Sequence, residues 1–262
     1  MSSPPRVALV TGASRGIGRV VATRLAHAGY RVAVAARSAS QVGEVADEIG
    51  ALALPLDVAD GRAVEAAFET VERELGPLSL LINNAGIAGD GGFSWEQPAD
   101  RWWQVFEVNM LGTFLCCRAA RPGMRARGHG RIVNVSSNAA FYALDGDLDP
   151  RISSAYLASK AAVVRFSEAL AAEARADGVR VFAISPGMVK SDMTAAIFEA
   201  EWNDGEIWSP PELTADLVDF LETGALDALS GRYVHAANDD WRALPARIPE
   251  ILEQDLHALR VR

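Results

Sequence analysis

The sequence predicts an α/β protein whose doubly wound parallel sheet is covered by helices on both faces, a three-layer α/β/α arrangement. Short apolar runs rich in Val, Ile and Leu alternate with segments of helical periodicity along the whole chain. That alternation is typical of parallel strands joined by right-handed crossover helices. Half of the 262 residues are hydrophobic, and no linker or repeat divides them. We therefore expect a single domain over residues 1–262.

Each predicted element has a local reason. The first strand is the apolar run at 7–10, and a helix follows at 16–27, where apolar residues recur at helical spacing until Gly29 interrupts them. By the same criteria, further strands are predicted at 31–35, 51–54, 79–82, 131–135, 179–184 and 232–235. Further helices are predicted at 44–49, 63–75, 102–127, 155–176 and 216–222. Ligands bind beyond the carboxyl ends of such strands, so the segments that come directly after the strands are the place to look for a site.

The composition excludes several classes of protein. The net charge is −9 and no basic run is present, which argues against nucleic-acid binding, since phosphate contacts need clustered Lys and Arg. No apolar run has the length of a signal-peptide core or a membrane span. Cys116 and Cys117 are adjacent and cannot support a disulfide framework, and the four histidines lack metal-ligand spacing. We expect a cytoplasmic protein without a metal site.

A glycine-rich turn between the first strand and the first helix predicts a phosphate site. It spans residues 11–18, TGASRGIG. Glycines let the backbone approach a pyrophosphate, and the helix N-terminus offers free N–H groups; the alternative is a structural turn that binds nothing. The second strand ends in Ala36 and Arg37 without a carboxylate, and Arg15 is a second cation. Unless both arginines are merely solvated, they favour the 2′-phosphate of NADP over the 2′-hydroxyl of NAD.

Tyr156 and Lys160 lie four residues apart on a predicted helix, and therefore one turn apart on the same face. A fixed ammonium beside a phenol is expected to lower the pKa of Tyr156. That would make this tyrosine a candidate proton donor or acceptor. On its own the spacing is more typical of a solvated helix face, so the rest of the chain must decide.

Taken together, these motifs resemble the short-chain dehydrogenase/reductase family, in its short single-domain branch, over residues 7–193. The motifs that carry the resemblance are the glycine turn 11–18, Asp57, NNAG at 83–86, Asn109, Ser137, the pair Tyr156 and Lys160, and Pro186 with Gly187. The resemblance implies a Rossmann-type fold. It also implies an NADP(H)-dependent oxidoreductase that interconverts a carbonyl compound and an alcohol by hydride transfer, with reduction as the expected direction.

The resemblance also implies roles for the catalytic residues. Tyr156 would be the general acid in reduction and the base in oxidation. Lys160 would lower its pKa and hold the nicotinamide ribose. Ser137, with Ser136 as the nearby alternative, would bind the substrate oxygen, and Asn109 would hold a water that joins Lys160 to solvent.

The implied cofactor contacts lie at the strand ends. Asp57 would contact the adenine, and Asn83 would close over the adenine ribose. The residues implied to bind the cofactor are Gly12, Ser14, Arg15, Gly16, Ile17, Gly18, Arg37, Asp57, Val58, Asn83, Ala85, Gly86, Tyr156, Lys160, Pro186, Gly187, Val189 and Ser191.

The chain departs from the family pattern between Ser137 and Tyr156, where extra residues fall around 143–154. Aspartates alternate at 145, 147 and 149, as at the start of a calcium loop. Pro150 stands where that loop needs Gly, and Tyr156 where it needs Glu. We therefore expect an acidic loop at the rim of the substrate site, one that disfavours anionic substrates.

Residues 188–211 are expected to form a lid over the substrate. Their apolar side chains, together with Phe93 and Phe141, could line a pocket for a hydrophobic or aromatic substrate, or could equally be packing or interface residues. The predicted pocket residues are Trp95, Asn138, Tyr142, Met193 and Trp202. The helices at 102–127 and 155–176 resemble the family's subunit interface, which implies a homodimer or homotetramer. The tail 239–262 has apolar spacing suited to packing on the body or on a partner subunit.

Two other functions stay open at this point. One is a catalytically silent NADP-binding sensor or scaffold, against which the full set Ser137, Tyr156, Lys160 and Asn109 argues. The other is a reductase of an imine or enoyl substrate in a biosynthetic pathway, which fits a Tyr–Lys pair less well than carbonyl chemistry does.

Overall fold

The computed structural model describes residues 5–141, 152–195, 197 and 207–260. In these ranges the strands form one parallel sheet of order β3-β2-β1-β4-β5-β6-β7. The strands are β1 (Val7–Thr11), β2 (Arg31–Ala36), β3 (Leu52–Pro55), β4 (Leu80–Asn83), β5 (Gly130–Val135), β6 (Val179–Ser185) and β7 (Tyr233–His235). The winding reverses direction between β1 and β4, so the predicted doubly wound sheet is confirmed.

Helices cover both faces of this sheet. They are α1 (Gly16–His27), α2 (Ala39–Ile49), α3 (Gly61–Glu74), α4 (Ala99–Phe106), α5 (Gly112–Arg127), α6 (Ser154–Ala174), α7 (Asp192–Ala195), α8 (Glu212–Glu222) and α9 (Leu244–Glu253). Helix α2 begins five residues before its predicted start because the Ser38 hydroxyl accepts the Gln41 N–H and caps it. No helix in the described ranges has the length and apolarity to cross a membrane.

The helix predicted at 102–127 is in fact two helices joined by a π-helical turn. Helix α4 ends at Phe106, the π turn spans Glu107–Leu111, and α5 follows from Gly112. Such turns widen a helix locally and are frequent at functional sites. This one carries Asn109, whose side chain is buried.

The sheet buries both of its faces, which explains why its strands are continuously apolar. In β1, Ala8 and Val10 join the core cluster that contains residues of α1 and α8. Val7 and Leu9 join the cluster on the opposite face, with residues of α3 and α5. Successive strand residues point to opposite faces, so a strand covered on both sides shows no polar alternation.

The C-terminal tail packs on the body of the same chain, which answers a question that the sequence left open. Trp241, Leu244 and Ile251 are buried in the core cluster beside α8. The Trp241 indole N–H donates to the Ala236 carbonyl at 3.0 Å, and its ring centroid lies 5.1 Å from that of Phe220. The tail therefore closes one end of the hydrophobic core.

Candidate active site

The glycine turn after β1 brings three segments of backbone into close contact. Gly12 has a φ of +64°, and a Cβ on it would lie 2.8 Å from the Ala85 Cα. A Cβ on Gly18 would overlap the Gly12 carbonyl and lie 3.0 Å from the Ala13 Cα. Gly18 thus lets α1 pack directly on the turn. The start of α1 lies at the cleft beside the turn, and the N-cap residue Arg15 makes no side-chain capping hydrogen bond.

We expect Gly18→Ala to destabilise the fold by about 1–3 kcal/mol, because the new methyl group meets backbone that cannot move aside. NADPH binding should weaken with it, since the turn shapes the phosphate site. Gly43→Ala is the matched control: nothing lies within 4 Å of its Cβ in α2, so it should leave stability unchanged or raise it by up to about 1 kcal/mol. Thermal unfolding with and without NADPH measures both effects, and equal behaviour of the two variants would contradict the packing role.

A cleft of about 380 Å³ opens above the glycine turn and across the ends of β1, β2 and β4. Most of the residues predicted to bind the cofactor line it: Gly12, Ser14, Arg15, Gly16, Ile17, Arg37, Asp57, Val58, Ala85, Gly86, Tyr156, Lys160, Pro186 and Ser191. The lining offers backbone N–H groups of the turns, side-chain hydroxyls and two arginine guanidinium groups. These are hydrogen-bond donors suited to the phosphates of a dinucleotide.

The arginine end of this cleft suits a 2′-phosphate. Arg37 is exposed at the cleft just after β2, and no carboxylate of that strand end competes with it. Arg15 pairs with Asp192 at 3.1 Å, with both side chains largely exposed. An ion pair in that position contributes little, so Arg15 can exchange it for a phosphate. The residues present therefore fit NADP(H) in charge and shape.

Lys160 is the buried cation of the site. Only 4 % of it is exposed, and its Nζ donates to the Val135 carbonyl at 2.9 Å. Its Nζ lies 5.7 Å from the centroid of the Tyr156 ring. Burial lowers the pKa of Lys160 to about 8, because the ammonium loses hydration. Helix α6 thus places the Tyr156 phenol and an ammonium group of lowered pKa, that of Lys160, together at the cleft.

Gly86 and Asn109 enclose Lys160 from the other side. A Cβ on Gly86 would lie 3.4 Å from Lys160 Nζ and 3.2 Å from Asn109 Oδ1. The Asn109 amide donates to the Ile87 carbonyl and to Ser159 Oγ, both at 3.0 Å, and its Oδ1 accepts the Ile87 N–H at 2.8 Å. These bonds tie the π turn to the segment after β4 and to α6. The water-holding role of Asn109 stays an implication of the resemblance.

The two serines after β5 have different surroundings. Ser136 is buried, and its hydroxyl donates to the Lys160 carbonyl at 2.8 Å, which fixes α6 against β5. Ser137 lines a second cavity together with Tyr156. Its Oγ accepts the Ala139 N–H at 3.1 Å, which leaves the hydroxyl proton to donate. This geometry favours Ser137 over Ser136 as the group that binds a substrate oxygen.

The second cavity, of about 260 Å³, lies at the ends of β5, β6 and β7, and we call it the substrate-side cavity. Its lining residues are Ala88, Ser137, Asn138, Ala139, Ile152, Ser153, Tyr156, Ser185, Gly187, Met188, Met193, Thr194, Ile197, Ile207, Ser209, His235 and Asn238. Asn138 and Met193 were predicted here. Gly187, predicted for the cofactor, also lines it. Ser185, His235 and Asn238 were missed, although they lie at the ends of β6 and β7 and obey the same strand-end rule that found the others.

Several predicted site residues lie elsewhere. Asn83 is in the core: its amide donates to Asn134 Oδ1 at 2.9 Å and to Cys117 Sγ at 3.3 Å, and its neighbour Asn84 lines the cleft instead. Val189 is buried beneath α7, and its carbonyl accepts the Thr194 hydroxyl. Neither Asn83 nor Val189 is among the residues that line the cleft, and their contact with the cofactor stays a prediction.

Of the aromatic residues predicted for the pocket, those that the structure describes do not line the substrate-side cavity. Trp95 is 80 % exposed and stacks on Phe93, with ring centroids 4.9 Å apart, so it does not line the substrate-side cavity. Phe141 packs against Tyr233. Tyr142, Trp202 and the acidic segment 143–151 lie outside the described residues, as does most of the region 196–206.

The doubly wound sheet, the glycine-rich turn and a Tyr that lines two adjacent cavities, with Lys160 in one and Ser137 in the other, are typical of a dinucleotide-dependent oxidoreductase. The chain belongs to the short-chain dehydrogenase family, whose model matches residues 6–202. The family predicted from the sequence motifs is thereby confirmed.

Individual relatives agree with this assignment. Acetoacetyl-CoA reductase of Paracoccus denitrificans is 37 % identical, over 89 % of this chain and 97 % of the relative. The 3-oxoacyl-acyl-carrier-protein reductase FabG of Escherichia coli is 31 % identical, over 90 % of this chain and 97 % of its own. A crystal structure of actinorhodin polyketide ketoreductase with NADPH has a TM-score of 0.79 and 30 % identity, covering 88 % of this chain and 95 % of that one. These similarities confirm the fold and enzyme class, and the NADPH of the ketoreductase agrees with the predicted cofactor.

Proposed function

We propose that the protein reduces a neutral ketone to a secondary alcohol with NADPH, using Tyr156 as the general acid. One observation carries the proposal: Tyr156 lines both the dinucleotide cleft and the substrate-side cavity. A phenol at this junction can reach a carbonyl oxygen whose carbon faces the nicotinamide end of the cleft. The named relatives act on acetoacetyl-CoA, on 3-oxoacyl chains and on a polyketide, and all three substrates contain a ketone.

In the proposed mechanism, bound NADPH supplies the hydride to the carbonyl carbon. Ser137 and Tyr156 donate hydrogen bonds to the carbonyl oxygen, where negative charge develops. Tyr156 then transfers its proton to that oxygen, and the product is the alcohol. Proton transfer from a placed acid contributes about 10²–10⁴-fold to the rate.

Lys160 supports the phenolate that Tyr156 becomes. With its pKa at about 8, this lysine is mainly the ammonium at neutral pH, and an ammonium stabilises a neighbouring phenolate. The group lies in a desolvated site, where its charge acts more strongly than in water. The ammonium is lost as the pH rises through about 8, so we expect reductive turnover to fall in the same range.

The substrate-side cavity favours a neutral substrate. None of its described lining residues is Asp, Glu, Lys or Arg, so the described lining provides no charged partner for a carboxylate or an amine. Apolar side chains of Met188, Met193, Ile197 and Ile207 alternate with hydroxyls and amides. Six residues of the region 188–211 line the cavity, which supports the lid proposed for that region: Met188, Met193, Thr194, Ile197, Ile207 and Ser209.

An aromatic face on α4 and α5 supports a homo-oligomer. Trp103 of α4, Leu111 of the π turn and Phe114 of α5 are large apolar residues exposed on this face. Exposed apolar residues that form a patch mark interaction surfaces. We propose that a second copy of the chain covers this face, and sedimentation of the wild type beside Phe114→Asp would test it.

A panel of carbonyl compounds tests the function directly. NADPH oxidation is followed optically with neutral ketones, keto acids, an imine and an enoyl thioester. We expect turnover of neutral ketones above that of the matching keto acids. NADPH binding without any turnover would favour the sensor or scaffold, and turnover confined to the imine or the enoyl thioester would favour that alternative.

We expect Arg37→Asp to reverse the cofactor preference. The change removes a charge-assisted hydrogen bond to the 2′-phosphate, worth about 1.5–3 kcal/mol, and adds repulsion. The KM for NADPH should therefore rise by about 10–100-fold, while that for NADH stays the same or falls. Arg19→Asp makes the same change in net charge on α1, outside the cleft. A loss of NADPH preference in both variants would show that net charge, and not Arg37, sets it.

A further inference from the structure

His235, the last residue of β7, lines the substrate-side cavity although the proposed mechanism gives it no role. Only 5 % of the residue is exposed. It is paired in register with Ser185 of β6, whose hydroxyl accepts the N–H of Asn138 beside Ser137. The imidazole is therefore part of the same cavity wall as the groups that face the ketone.

The tautomer of this imidazole is fixed by the turn after β7. Its Nδ1 accepts the N–H groups of Ala237 at 3.1 Å and Asn238 at 3.0 Å. A nitrogen that accepts hydrogen bonds carries no proton, so the neutral ring has its proton on Nε2. Burial lowers the pKa of His235 and outweighs the opposing effect of the Asp239 carboxylate. The ring is thus held neutral, with one N–H to donate.

That Nε2–H has no acceptor within the described part of the chain, where the side-chain hydrogen bonds of His235 are the two at Nδ1. The Nε2 atom is not among the fully buried unpartnered atoms of the described residues, so a ligand in the cavity can reach it. If a bound ligand covers this donor without offering an acceptor, the cost is about 1–3 kcal/mol. A donor on the wall of a substrate cavity is satisfied when the substrate supplies an acceptor.

The position of His235 indicates which atom of the substrate it meets. Ser137 lies just after β5, and β6 lies between β5 and β7. Two strand spacings put the backbones about 10 Å apart, so the imidazole N–H and the Ser137 hydroxyl reach the cavity from separate strand ends. The N–H therefore meets a second atom of the substrate, a few bonds away from the ketone oxygen.

We propose that His235 is a substrate-binding residue whose Nε2–H donates to a second, neutral acceptor oxygen of the substrate, such as an ester or thioester carbonyl near the ketone. This inference rests on the proposed ketone reduction. It makes the site selective for ketones with such an oxygen over plain ketones of the same length.

Two substitutions separate the two nitrogens of the ring. In His235→Asn the side-chain oxygen takes the place of Nδ1 and continues to accept the turn amides, while the N–H that reaches the cavity is lost. In His235→Gln an amide N–H takes the place of Nε2, while the acceptor for the turn is lost. The probes are ethyl acetoacetate, which has the second carbonyl, and 2-heptanone, a ketone of equal chain length without it.

For His235→Asn we expect the ratio of kcat/KM for ethyl acetoacetate to that for 2-heptanone to fall by about 10–100-fold, with 2-heptanone almost unaffected. His235→Gln should retain most of the ratio at a lower Tm. An unchanged ratio in His235→Asn would overturn the proposal while leaving the reductase function intact. Absence of turnover of either ketone by the wild type would instead contradict the proposed function itself.

A second measurement covers the case in which His235→Asn does not fold. The imidazole ¹⁵N signals of the wild-type protein are recorded with NADP⁺ and saturating ethyl acetoacetate or 2-heptanone. We expect the Nε2 resonance of His235 to shift with the ester and not with the plain ketone. The same spectrum with both ligands would exclude the proposed hydrogen bond.

Discussion

Tyr156→Phe is expected to lower kcat for ketone reduction by about 10²–10⁴-fold, because the variant has no acid at the junction of the two cavities. The phenyl ring keeps the shape of the wall, so NADPH should bind with nearly unchanged affinity. Steady-state kinetics and NADPH fluorescence titration measure the two effects separately. A loss of kcat without a loss of binding is the signature of an interaction that acts in the transition state.

Tyr30→Phe is the matched control for this substitution. The Tyr30 hydroxyl donates to Glu222, and the residue lines neither cavity. The variant should lose about 1 kcal/mol of stability with the hydrogen bond and retain normal turnover. If Tyr156→Phe kept more than about a tenth of the wild-type kcat, another group would have to be the acid.

The sequence was informative about this site wherever function depends on residues at or just beyond the end of a strand. Strand ends are readable from apolar runs and turn residues, and parallel strands bring their carboxyl ends to one edge. Ser137, Tyr156 and Lys160 accordingly face cavities at that edge. The motifs were matched one by one, in chain order, to the pattern of the family. An error in one predicted element therefore did not change the positions assigned to the other motifs.

The predicted end of β4 was one residue too early, and this affects which way the Asn83 side chain faces. Asn83 is the last residue of β4 instead of the first residue after it. One position decides the face in a strand, and its side chain points to Asn134 and Cys117 in the core. Hydrophobic patterning does not resolve a strand boundary to one residue, so it did not show that this amide faces the core.

Trp95 and His235 show a different limit. Hydrophobicity suggested that Trp95 lines a pocket, yet it stacks on Phe93 at the surface. His235 looked like a scattered histidine, and its place in the cavity depends on the register of β7 beside β6. The positions of both side chains depend on packing between elements that are distant in sequence. A local sequence pattern holds no information about such packing.

The second large effect is expected at Lys160, whose replacement should lower activity and raise the stability of the fold. Lys160→Met should lower kcat/KM by about 10²-fold or more, because the cation beside Tyr156 is lost. The same change should raise the free energy of unfolding at pH 7 by about 1–3 kcal/mol. The buried ammonium has a pKa of about 8 instead of 10.5, and each pKa unit corresponds to about 1.4 kcal/mol. The loss of the hydrogen bond to the Val135 carbonyl offsets part of this gain.

The pH dependence distinguishes this cause from better packing of the methionine. Between about pH 8 and 10.5 the unfolded chain binds the lysine proton and the folded chain does not, so wild-type stability rises with pH in that window. The advantage of Lys160→Met should therefore be largest below pH 8 and disappear near pH 10.5. An advantage that stayed constant with pH would point to packing.

Lys190→Met is the control, and it also permits a direct measurement. Lys160 and Lys190 are the only lysines among 25 basic residues, and Lys190 is exposed and lines neither cavity. Its Nζ lies 5.6 Å from the centroid of the Trp208 ring, so its replacement should cost about 0.5–1 kcal/mol and should lower turnover far less than Lys160→Met does. In the Lys190→Met variant ¹³C-labelled lysine gives a single Cε resonance, whose pH titration reports the pKa of Lys160 alone. A midpoint near 8 would establish that the folded chain keeps a destabilising buried cation where the proposed reaction needs one. A midpoint near 10.5 would contradict both the expected gain in stability of Lys160→Met and its expected dependence on pH.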